Sequence, residues 1–121
     1  MKRIFVSLIA SLLMTMAGQA TESAKLLSKK EVRNLIANAN TPADHNKLAN
    51  NYRLQAEKLD AEANEHAEMA KMYRERPSLA ASKHPMGPDT APHCEYWADS
   101  LRKAAVEARA LSAAHADMAK K

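Results

Sequence analysis

The sequence predicts an all-α fold: a short N-terminal helix followed by a long antiparallel helical hairpin. Three observations carry this. Runs of β-branched and aromatic residues with period-two alternation, the signal of a strand, are absent. From Ala43 to about Tyr73 the chain meets no glycine or proline and is dominated by Ala, Leu, Glu, Lys and Gln, all strong helix formers. Past residue 20, glycine and most of the prolines gather in one stretch, at Pro77, Pro85, Gly87 and Pro88, which marks about 74–91 as the connection between two long helices.

The first twenty residues stand apart from the fold. Lys2 and Arg3 precede an apolar run from Ile4 to Met16, and Gly18-Gln19-Ala20 supplies small residues for cleavage, the three-part pattern of a secretory signal peptide. A retained amphipathic anchor is the competing reading. The run is short for a transmembrane helix and no second one follows, so the expectation is an exported, periplasmic chain that begins near Thr21 and has no stable membrane span. Losing Lys2 and Arg3 takes the formal charge from +4 to +2. The remaining lysines and arginines are interspersed with acids, and no aromatic-interleaved basic stripe appears, which excludes nucleic acid as an expected partner.

Within 21–40, Ser28 is a helix N-cap with Glu31 placed to reach back, and Val32, Leu35 and Ile36 follow before Asn38 to Asn40 close the helix. The hairpin, 41–121, opens on Thr41-Pro42-Ala43-Asp44: an N-cap, a proline at the first helical position and an acid in the first turn. Three-and-four spacing gives this helix an inward face of Leu48, Ala49, Tyr52, Ala56, Leu59, Ala63, His66, Met69, Ala70 and Tyr73. The last helix starts at about Pro92 and turns inward Cys94, Trp97, Ala98, Leu101, Ala105, Ala108, Leu111, Ser112, His115, Met118 and Ala119. Tyr96 is expected to face outward. Alanine on both inner faces favours close backbone approach in a coiled-coil-like pair.

A degenerate internal repeat runs through the hairpin. His66-Ala67-Glu68-Met69-Ala70-Lys71 returns 49 residues later as His115-Ala116-Asp117-Met118-Ala119-Lys120, and at the head of the copies His45 falls on Cys94. An antiparallel register that opposes His45 to His115 and His66 to Cys94 also sets Leu59 against Leu101 and Tyr52 against Ala108. That register gathers His66, Met69, His93 and Cys94 near one end of the hairpin and His45, His115 and Met118 near the other, about 31 Å away along the helices.

Imidazole, thioether and thiolate donors of this kind suit Cu(I) or Ag(I), and a His and a Met three residues apart lean toward the same point from adjacent turns. The His66-x-x-Met69 and His115-x-x-Met118 elements resemble those of exported silver- and copper-binding proteins; the resemblance covers these two tetrads and implies soft-metal binding or buffering. Thr41-Pro42-Ala43-Asp44-His45 at the head of one helix and His93-Cys94 at the head of the next look like small exported bacterial helical proteins, a likeness that covers most of the mature chain and implies no activity. Core filling by Met and dipole-favoured placement of a C-terminal His explain the same residues without a metal. Cys94, the single cysteine, has several fates open in an oxidising compartment: pairing between chains, a buried thiol, a metal ligand or a reactive thiolate.

An enzyme is not expected. One thiol on a two-helix scaffold lacks an orienting third group and an oxyanion hole, no phosphate loop is present, and Glu62 with Glu65-His66 occurs once where a di-metal carboxylate bundle needs repetition. The alternative function is a structural or interaction module of the cell envelope. An alanine-rich hairpin of this size buries a thin core, so association into a homodimeric four-helix bundle or onto an envelope protein would add buried surface.

Overall fold

The computed structural model describes residues 25–76 and 90–121. The signal-like segment 1–20 and most of the connection assigned to 74–91 lie outside the described residues. Among those described, the chain forms three helices and no strand: α1 (Lys29–Asn38), α2 (Pro42–Glu75) and α3 (Thr90–Met118). The fold is the expected helical hairpin, with α2 and α3 packed along their lengths and α1 touching α2.

The helix starts follow from local chemistry. The Ser28 hydroxyl accepts from the Glu31 N–H at 3.3 Å while a Glu31 carboxylate oxygen accepts from the Ser28 N–H at 2.7 Å, a complete capping box. Hydrogen bonding from the Ser28 hydroxyl first, and from the Ser28 N–H second, holds the Glu31 carboxyl below its ordinary range. Thr41 caps α2 by accepting from the Asp44 N–H at 3.2 Å, with Pro42 at the first turn, where no intrahelical donor is needed. α3 begins two residues before the expected Pro92, which a first-turn position tolerates for the same reason.

The interface is an alanine seam. Ala49, Ala56, Ala63 and Ala70 recur at seven-residue steps on α2 and are all buried; Ala91, Ala98 and Ala105 do the same on α3, and Ser112 continues the series. The register is fixed where Ser112 Oγ donates to the carbonyl oxygen of Ala49 at 2.7 Å and where Ala56 meets Ala105 and Ala108 in one buried cluster, with Leu59 against it. Seven-residue steps from these points oppose Ala63 to Ala98 and Ala70 to Ala91. The 49-residue repeat is seven such steps, so both copies present the same face. Outside the seam, Arg74 pairs with Glu95 and Arg109 with Asp60, both joining α2 to α3 on half-exposed flanks where an ion pair contributes little.

With methyl groups between them, the helices bring Cα atoms within 8 Å of one another, and large side chains do not fit in the seam. This corrects part of the expected inward face. Met69 is 36%, Trp97 49%, Leu111 45% and Met118 45% exposed; all four stand at the rim. Tyr96 faces solvent as expected. Asn51, not expected inside, is buried because its Oδ1 accepts the Leu27 N–H at 2.9 Å and ties the segment before α1 to α2. Leu48, one turn earlier on that side of α2, is the one large side chain fully buried among the described residues.

Candidate metal-binding end of the hairpin

His45 stands in the first turn of α2 and His115 in the last turn of α3, so the antiparallel pairing brings them together at the open end. Their Nδ1 atoms are 3.2 Å apart across 70 residues of sequence. The two rings stack at 5.4 Å between centroids with planes 24° apart, and Tyr52, one heptad beyond His45, stacks on His115 at 5.8 Å and 8°. The His115 ring thus has α2 aromatic partners in His45 and Tyr52, and the Ser112–Ala49 hydrogen bond one turn away holds α3 in that register.

A contact between two Nδ1 atoms needs one to carry hydrogen and the other to offer a lone pair. Two imidazolium rings cannot satisfy it. The negative end of α3 alone would favour charge on His115. The local balance on His115 nevertheless goes the other way: desolvation first, and the charge of His45 second, hold its pKa below the ordinary value of 6.5. A folded-state pKa depressed for a base means that the unfolded chain binds the proton more readily as pH falls through about 6.5, so folding weakens there. The melting temperature is expected to be lower at about pH 5 than at about pH 7.5, and His45→Gln to shallow that fall; circular dichroism melts check both, and equal melting temperatures in the parent protein would overturn the expectation.

Met118 follows His115 by one turn on the same side of α3 and is 45% exposed, reachable by an ion from solvent. The second expected cluster is arranged differently. His66 is stacked on the Trp97 indole at 4.6 Å and 13°, and His93 meets the same indole edge-on at 6.1 Å and 86°. His66 Nδ1 is buried and has no hydrogen-bond partner among the described residues. Cys94 is a free, partly buried thiol, and Met69 lies at the rim. Among the described residues no group of three His, Cys, Asp or Glu side chains converges on one point. The structure therefore joins His45 to His115, and gathers His66 and His93 around an aromatic ring that the sequence reading had placed on the inner face. The partners it missed, Tyr52 for His115 and Trp97 for His66, were legible as residues one heptad or three positions from the expected pairings.

The fold and this end of it define a class: an alanine-seamed antiparallel helical hairpin closed at its open end by an imidazole pair. Comparison with protein-family models, with curated proteins and with solved structures returns no match to this chain.

Proposed function

We propose that the protein binds a soft or borderline metal ion, Cu(I) or Ag(I) foremost, between His45 and His115, with Met118 as the adjoining thioether. The observation that carries this is the 3.2 Å separation of the two Nδ1 atoms. Nitrogens that far apart both lie at a metal–nitrogen distance of about 2.05 Å from one point, subtending about 100° there, close to a tetrahedral angle. With the ring hydrogens on Nε2, both Nδ1 lone pairs become available, and the ion replaces the shared proton. Two neutral imidazoles and a thioether form a donor set suited to monovalent copper and silver. An exported setting, expected from residues 1–20, is a place where a cell meets such ions.

The test is a competitive Cu(I) titration with helicity followed in parallel. His45→Ala and His115→Ala are each expected to weaken binding on the order of 100-fold with helix content kept, while His66→Ala leaves affinity unchanged. Equal affinity in the parent and in both open-end variants would overturn the site. Uptake abolished by His66→Ala alone would move it to the other end.

A second reading, an interaction module of the cell envelope, is favoured by the aromatic edge that Tyr96 and Trp97 hold in solvent, at 73% and 49% exposure.

A further inference from the structure

The outer side of α3 carries a second seven-residue series that α2 does not cover. Trp97, Ala104, Leu111 and Met118 stand at heptad spacing, interleaved by His93, Ser100, Glu107 and Ala114 in the three-and-four step of a coiled-coil seam. Every one of these residues is exposed, although Glu107 is the one Asp, Glu, Lys or Arg among them. Such a seam lies about a quarter turn from the alanine seam, on the flank of the hairpin.

At its N-terminal end is a hollow of about 300 Å³ lined by His93, Tyr96, Trp97 and Ser100. These positions are i, i+3, i+4 and i+7, the four residues that frame the hole for a knob from a facing helix. A coiled-coil seam with a ready hole and an exposed leucine on the same face implies a partner helix that brings a knob.

We infer that the partner is a second copy of this chain, docked α3 against α3, antiparallel, about a two-fold axis at Ala104. The spacing makes the face self-complementary. Leu111 lies as far beyond Ala104 as Trp97 lies before it, so each copy's Leu111 falls over the other's Trp97 hole. At the axis alanine faces alanine, the same device that lets α2 and α3 approach in the hairpin. Charge agrees as well: Glu107 is the one acid of the seam and Lys103 stands beside it on the rim, neither makes an ion pair among the described residues, and the two-fold brings each copy's Lys103 within a turn of the other's Glu107. The overlap about that axis, from His93 to the level of residue 115 that the two-fold sets opposite it, is about 33 Å long. A strip of that length and about 10 Å width buries on the order of 700 Å² over both copies, the size of a reversible contact rather than a permanent one. This inference is independent of the metal reading.

Sedimentation equilibrium of protein expressed from the full sequence, with chelator present, tests it. The expected result is a concentration-dependent dimer, unaffected by chelator, with Trp97 emission moving to the blue as Leu111 of the partner covers the indole. Leu111→Glu, at an exposed position, is expected to weaken association at least 10-fold while the dilute protein melts as the parent does. In a Cys94→Ser background, Ala104→Cys is expected to form a disulfide-linked dimer on oxidation and Ala113→Cys, on another side of α3, is not; this readout decides the matter should Leu111→Glu fold poorly. A strict monomer up to about 1 mM, or a dimer that Leu111→Glu leaves intact and Ala104→Cys does not trap, overturns the proposal. In the latter outcome some other face is the interface.

Discussion

Leu48→Ala is expected to destabilise the protein by about 3 kcal/mol and to lower the melting temperature by roughly 10–20 °C. Leu48 has no exposed surface, and the rest of the fully buried apolar set is alanine. A large-to-small change costs the lost transfer of the removed carbons and the cavity left behind, and the second part depends on how far neighbours can collapse into the space. Alanines on a helix have no rotamer with which to fill a hole, so relaxation would have to move a backbone. The side of α2 that Leu48 shares with Asn51 also receives the segment before α1, through the Leu27 N–H to Asn51 hydrogen bond. Collapse there would strain that tie. Thermal and urea unfolding followed by circular dichroism measure the loss, with Leu59→Ala, partly buried, expected to cost less. A change within about 0.5 kcal/mol of the parent, the range of an ordinary surface substitution, would show that the core lies elsewhere.

The elements were legible because their signals are local. Ser28 with Glu31, and Thr41 with Pro42 and Asp44, announce helix starts through hydrogen bonds made within one turn, which tertiary context has little power to override. Of the register, one pairing was legible, His45 opposite His115, whose rings the structure puts in contact. The seam itself runs one residue from the expected alignment, with Ala49 at Ser112 and Ala56 at Ala105, and His66 stacks on Trp97 where Cys94 was expected opposite it. What the sequence reading misjudged was how deep each large side chain goes. Three-and-four spacing identifies a side of a helix but not the distance to the neighbour, and that distance is set here by the alanine heptads. Two helices brought this close displace Trp97, Leu111, Met69 and Met118 to the rim. The burial of Asn51 could not be read from periodicity, since it depends on Leu27, 24 residues away, presenting an N–H that helix α1 does not use. At the connection end, the ligand-like residues were assigned by their donor chemistry, whereas the ring of Trp97 competes for His66 and His93 by stacking, an attraction that needs no ion.

Ala105→Leu should unzip the seam from its middle, at a cost of about 3 kcal/mol. Ala105 has no exposed surface and belongs to the cluster with Ala56 and Ala108. Leucine is nearly as good a helix former as alanine, so the helix itself is not weakened, and any loss reports the crowding of extra carbons into a contact that already holds no spare volume. Ala110→Leu, exposed on the same helix, adds the same carbons to solvent and is expected to stay within about 0.5 kcal/mol of the parent. The pair of variants also separates packing from site chemistry. His45 and His115 sit on different helices, and the register between those helices is held by the seam and by the Ser112–Ala49 hydrogen bond. Forcing α2 and α3 apart at Ala105, about 15 Å from His115 along the helix, widens the gap between the two nitrogens and should lower Cu(I) affinity together with stability. Ala110→Leu should move neither quantity. Stability lost with metal affinity intact would mean that the bound ion does not depend on the two helices being held together, and a donor set drawn from one helix, such as His115 with Met118 alone, would then account for the binding.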